Sequence, residues 1–134
     1  MGEELEALAR RCEEATGADR KLDAQIAAIV RLGAVPAWAI GWSGEWRAGA
    51  DGEVTMMTKD GTPGPWFQAH AYTASLDAAM TLVPEGASWE MECQPKTTNA
   101  SILYADWKDG NASTPALALC AAALRARASL EAEG

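Results

Sequence analysis

Apolar residues recur at helical spacing near both ends of this chain and at alternating positions between them. Leu5, Leu8, Ala9 and Cys12 fall at i, i+3, i+4 and i+7, with Glu4, Glu6, Arg10, Glu13 and Glu14 off that stripe. The spacing predicts an amphipathic helix over 3–16, closed by Gly17. Asp19 can cap a second helix whose apolar face is Leu22, Ile26, Ile29 and Val30, ended by Gly33 and Pro36. A short link joins the two, so they are expected to pair as an antiparallel hairpin.

Residues 72–127 form the best-marked unit. Thr73 or Ser75 can cap a helix in which Leu76, Met80 and Val83 share a face, Asp77 favours the positive end of the dipole, and Pro84 with Gly86 supplies the stop. Trp89, Met91 and Cys93 then alternate with Ser88, Glu90 and Glu92, the period-two pattern of a half-buried strand. After a turn at 94–99, residues 100–107 are expected to be its antiparallel neighbour, with 108–111 as closing turn residues. Thr114 and Pro115 open a last helix with a Leu117, Cys120, Ala121 and Leu124 stripe and Arg125 and Arg127 toward its negative end. Its many alanines would let it approach a sheet closely.

The centre differs in kind. Trp38, Ile40 and Trp42 lie on one side of an extended segment, and Gly41, Ser43 and Gly44 make a helix there improbable. Strands are expected at about 37–42 and 54–58, with 49–52 as a turn and 59–65 as a proline-stiffened loop before Trp66 and Phe67. The whole predicts an α+β fold, a single domain over 1–134. Within it a helical hairpin at 1–33, Trp-rich strands and loops at 34–71 and a helix-strand-strand-helix core at 72–134 surround a small antiparallel sheet of three to five strands with helices packed on it.

Composition narrows the functions. A chain of 134 residues, 49% hydrophobic, can bury a real core. Three cysteines, Cys12, Cys93 and Cys120, fall singly on expected apolar faces without metal-ligand spacing, which points to reduced core thiols and a cytoplasmic location. No apolar run reaches the roughly 18 residues of a membrane span, and no secretion signal is recognised. A net charge of -8 argues against direct nucleic-acid binding, which depends on Lys and Arg at phosphates. DNA mimicry would want dense acidic rows, whereas these acids are scattered among arginines, and solubility accounts for the charge.

Candidate chemistry is sparse. His70 has no cysteine or carboxylate at ligand spacing, so it is expected to be structural rather than a metal ligand. Its pairing with a Cys93 or Cys120 nucleophile is weakened because both thiols fall on faces expected to be buried. Gly41-Trp42-Ser43-Gly44 is one residue short of a nucleophile elbow. The acid pairs Asp19/Asp23 and Asp106/Asp109 suit capping and turn roles better than a cation, and Gly61-Thr62-Pro63-Gly64 lacks the lysine of a phosphate loop. No cofactor is expected and enzyme activity is the least favoured class. What remains is an excess of tryptophan, six in all, four of them (Trp38, Trp42, Trp46 and Trp66) in the central segment. Tryptophan is enriched at interface hot spots, which makes these four the candidate partner-binding residues.

The segments YTASLDAAMTLVP at 72–84, STPALALCAAALRAR at 113–127 and ATGADRKLDAQIA at 15–27 together resemble the small bacteriophage and prophage proteins grouped as the phage ABA sandwich domain. The resemblance implies a three-layer α/β/α arrangement and a phage or prophage origin, and carries no residue-level activity. The expected function is therefore that of a phage-encoded accessory protein that binds a host protein, most plausibly an inhibitor of an antiviral defence system. The alternatives are a small-molecule or nucleotide sponge using tryptophan stacking, and a structural or assembly role as a homo-oligomer.

Overall fold

A computed structural model of the chain describes residues 2–32, 42–104 and 106–133; the side chains at 31–32, 42–45, 65 and 130–133 fall outside that description. The elements in chain order are α1 (Gly2–Glu14), α2 (Arg20–Ala27) continuing as a π-helical turn (Ala28–Leu32), β1 (Trp42–Ala48), β2 (Glu53–Thr58), β3 (Pro63–Gln68), α3 (Leu76–Met80), β4 (Ser88–Cys93), β5 (Thr98–Leu103), β6 (Trp107–Ala112) and α4 (Pro115–Glu133). The fold is α+β. Where one sheet was expected, the described strands form two, β1-β2-β3 and β4-β5-β6, both antiparallel. Contacts divide the chain into two compact units, Met1–Asp19 with Ala71–Gly134, and Arg20–His70.

The first unit is built on α4. Thr114 caps it, its hydroxyl accepting from the Leu117 N–H at 3.3 Å, and Pro115 occupies the first helical position. Ala116 through Leu124 are all buried, so the helix is enclosed on every side rather than striped. Strands β5 and β6 lie against it on one side, and α1 and α3 pack on it as well. Leu5, Leu8, Ala9 and Cys12 of α1 are buried, as their spacing predicts; each leucine so placed contributes about 1.5–3 kcal/mol. The layers thus run helix, helix, sheet. The sheet face away from α4 carries exposed Glu90, Glu92, Asp109 and Asn111, so the α/β/α layering implied by the resemblance is not formed in this unit among the described residues.

Close approach of α4 to the sheet needs Gly110. A Cβ built there would lie 2.6 Å from the Ala122 nitrogen and 2.8 Å from the Ala121 Cβ, and closer still to the Ala118 carbonyl oxygen. Residues 108–111, expected to be a turn from their Asp-Gly-Asn composition, are therefore the middle of β6. The expected strand over 100–107 correspondingly divides, with β5 ending at Leu103 and Trp107 opening β6. The β4–β5 link is tighter than expected, since the Gln94 N–H donates to the Thr97 carbonyl at 2.8 Å and only Pro95 and Lys96 turn the chain.

In α3, Ser75 is the cap, accepting from the Ala78 N–H at 3.3 Å, while the Thr73 hydroxyl instead accepts from the Asp19 N–H at 2.8 Å. The helix is one short turn and buries Ala79, with Leu82 just beyond it, in place of the expected Leu76, Met80 and Val83 face; Leu76 is exposed.

The second unit packs α2 against β2, burying Leu22, Ile26 and Val54. The two N-terminal helices fall in different units, α1 packing on α4 and α2 on β2. Arg20 ties the unit together. Its guanidinium donates to the Asp23 carboxylate at 2.8 Å, the Ala69 carbonyl at 2.9 Å and the Gln68 Oε1 at 3.1 Å, and covers Gly52, whose φ of +93° suits only glycine. Asp23, expected as a cap or turn acid, is wholly buried beside it.

Candidate functional site

Of the four candidate tryptophans, Trp38 lies outside the described residues. Trp42 opens β1, opposite Thr58, with its side chain outside the description. Trp46 is half-buried opposite Met56, and Trp66 is 61% exposed opposite Thr55. Met56 and Thr55 are successive residues of β2, and successive strand residues point to opposite faces. Trp46 and Trp66 are therefore on opposite faces of their sheet and make no common surface.

The first unit exposes aromatics that the composition argument passed over. Trp89 is 46%, Trp107 48% and Tyr104 49% exposed. Cross-strand register arranges the uncovered face of their sheet in three rows: Ser88, Leu103 and Trp107; then Glu90, Ser101 and Asp109; then Glu92, Asn99 and Asn111. Ser101 Oγ donates to Asp109 Oδ1 at 2.7 Å, which fixes the middle row. A recess of about 270 Å³ lies along Glu90, Met91, Glu92, Asn99 and Ser101. On this face Trp107 thus stands at one end and the acidic residues at the other, while Trp89, paired with Ile102, lies on the opposite face. The signal for this division in the sequence was the period-two alternation of 88–93, in which the glutamates were rightly placed away from the core.

The two edges of this sheet are treated differently. At β6 the outward Asn111 N–H donates to Glu13 Oε2 at 3.0 Å, and the outward Asp109 carbonyl accepts from Arg125 Nη1 at 2.8 Å. Arg125 also holds Glu13 through two bonds, Nη2 to Oε1 at 2.6 Å and Nη1 to Oε2 at 2.8 Å, and reaches Glu6 from Nε at 3.3 Å. A paired arginine and glutamate thereby occupy one carbonyl and one amide of the edge and cover it in place of a strand. The Arg125 hydrogen bonds hold the Glu13 carboxyl below its usual range, against the opposing effect of burial, and Glu13 in turn raises Arg125.

The β4 edge has no strand beyond it among the described residues. Because the Asp109 carbonyl and Asn111 N–H point away from β5, the alternation of the ladder turns Leu103, Ser101 and Asn99 of β5 toward Ser88, Glu90 and Glu92. The backbone groups of Trp89, Met91 and Cys93 consequently point outward. Their side chains lie on the α4 side but beyond its cover: Trp89 and Cys93 are exposed and Met91 half-buried. Cys93 thus departs from the expected set of three buried thiols, while Cys12 and Cys120 keep to it.

Other candidate chemistry is dispersed. Cys120 is buried and its thiol donates to the Tyr72 carbonyl at 3.2 Å, whereas His70 is exposed. Among the described residues no three His, Cys, Asp or Glu side chains gather as a metal site would require. Asp60, in the β2–β3 turn, has its pKa lowered to about 2, first by the Thr58 hydroxyl and then by the Thr62 hydroxyl and N–H. That is an exposed turn clasp. An open groove of about 760 Å³ in the first unit is lined by Glu3, Glu6, Arg10, Lys108, Arg125, Ala128 and Ser129, and none of these is aromatic. No described helix is long and apolar enough to cross a membrane.

Comparison with protein-family models, with curated proteins and with solved structures finds no match for this chain.

Proposed function

We propose that this protein is a phage- or prophage-encoded accessory protein that works by binding a host protein, as an inhibitor of an antiviral defence system, without catalysis of its own. The observation that carries the binding reading is the exposure of Trp107, at close to half its surface, on the same sheet face as Glu90, Glu92 and Asp109, with Trp89 equally exposed on the other face at the β4 edge. Large aromatic side chains left in water lose stabilisation that burial would give, and such residues are enriched at protein interfaces. The phage origin rests on the resemblance of residues 15–27, 72–84 and 113–127 described above, and the defence target on that origin together with the small size and acidity of the chain.

The test is affinity capture from host lysate with wild-type protein beside a Trp89→Ala/Trp107→Ala variant. A stoichiometric host protein retained by the first and lost from the second, with unchanged circular dichroism, is expected. Equal retention by both, or no retained protein at all, would refute the reading.

A further inference from the structure

We propose that the partner engages this protein by adding a strand to β4, and that the added strand alternates basic with apolar residues. This inference rests on the protein-binding reading above and goes on to name the mode and the chemistry. Three observations carry it. The outward backbone groups of Trp89, Met91 and Cys93 face no described strand, while the opposite edge of the same sheet is closed by Glu13 and Arg125. An unpaired edge is a template for an extended segment, and proteins that have no use for one cover or blunt it. The side chains flanking that edge then select the occupant. On the open face the added strand meets Glu90 and Glu92, with Asp109 two strands away in the Glu90 row. On the other face it meets Trp89, Met91 and Cys93, which α4 leaves partly uncovered.

A second copy of this chain fits poorly. Antiparallel pairing of two β4 strands about Met91 puts Glu90 opposite Glu92 of the other copy, and shifting the register by one pair puts Glu90 or Glu92 opposite itself. Like charges directly opposite are destabilising. A lysine or arginine at alternate positions of the incoming strand relieves this, and apolar residues between them cover Trp89 and Met91.

The experiment uses the full chain, isotopically labelled, and two blocked synthetic peptides of the pattern Lys-Val-Lys-Val-Lys and Glu-Val-Glu-Val-Glu, with residue-by-residue amide exchange as the readout. The lysine peptide should slow exchange at Trp89, Met91 and Cys93 by about tenfold or more, while Glu90 and Glu92, already bonded to β5, stay unchanged. The glutamate peptide should do nothing. Met91→Pro removes one outward N–H that meets no described strand, so it should fold and lose the effect. Glu90→Lys/Glu92→Lys should weaken the lysine peptide about tenfold or more at low salt. Absence of protection at saturating peptide, or equal protection by both peptides, would overturn the proposal. Shifts at Glu90 and Trp107 without protection of the outward amides would refute strand addition and leave protein binding standing. So would a captured host protein whose binding survives Met91→Pro. Protection by the peptide with an empty capture column would support the edge and sink the host-partner reading.

Discussion

Replacing Gly110 with alanine adds one carbon at the place where β6 touches α4. That carbon would sit 2.6 Å from the Ala122 nitrogen and nearer still to the Ala118 carbonyl oxygen, where ordinary contact begins at 3.4 Å. Both atoms are helix backbone, so no rotamer change removes the clash, and α4 or β6 must retreat by about 1 Å. Retreat of α4 presses on Leu5, Leu8, Ala9 and Cys12 of α1, while retreat of β6 opens a gap beside Ala112 and Ala100. The expected loss is at or above the upper end of overpacking costs, roughly 3 kcal/mol. Trimming Ala121 to glycine relieves only the 2.8 Å contact and should not restore stability. Gly61→Ala is the comparator: it has open space around it but a φ of +85°, so its cost should stay near the strain of a left-handed residue, about 1–2 kcal/mol. Urea unfolding followed by far-ultraviolet circular dichroism measures all three. A Gly110→Ala protein within about 1 kcal/mol of wild type would refute the close packing that defines this unit.

Arg125→Met removes the bonds to Glu6, Glu13 and the Asp109 carbonyl and should cost roughly 1–3 kcal/mol at neutral pH. Because the folded Glu13 carboxyl is held below its usual value of 4.5, its contribution is present above that value and lost as pH falls through the lower folded pKa; the stability gap between wild type and Arg125→Met, measured by denaturation against pH, should therefore narrow below about pH 4.5. Arg20→Met leaves the buried Asp23 without its ion pair and should cost about 3 kcal/mol or more, with partial recovery in Arg20→Met/Asp23→Leu; thermal unfolding without that recovery would contradict the ion-pair reading. A thiol reagent should modify Cys93 alone in the native protein and all three cysteines after unfolding, as counted by mass.

Residue order alone determined the parts of this protein whose causes lie within a turn or two of chain. The caps Ser75 and Thr114, the proline at the start of α4, the buried stripe of α1 and the two-faced pattern of β4 all depend on neighbours a few positions away, and each is where the residues predict it. Tertiary structure decided everything that depends on what arrives from elsewhere. Asp109-Gly110-Asn111 has the composition of a turn, and it is a strand because α4 needs a residue without a side chain at that crossing. Leu76 sits at the right period for a core face yet stays in water, because α4 receives the other side of that short helix. Trp46 and Trp66 fall on opposite faces of their sheet, as strand register requires, and Trp89 and Trp107 likewise fall on opposite faces of theirs through the pairings between β4, β5 and β6. The β6 edge is closed by Glu13 and Arg125, 112 residues apart, and β4 is left open. No local pattern encodes such a choice, since the free energy of a sheet edge depends on whether a distant side chain reaches it.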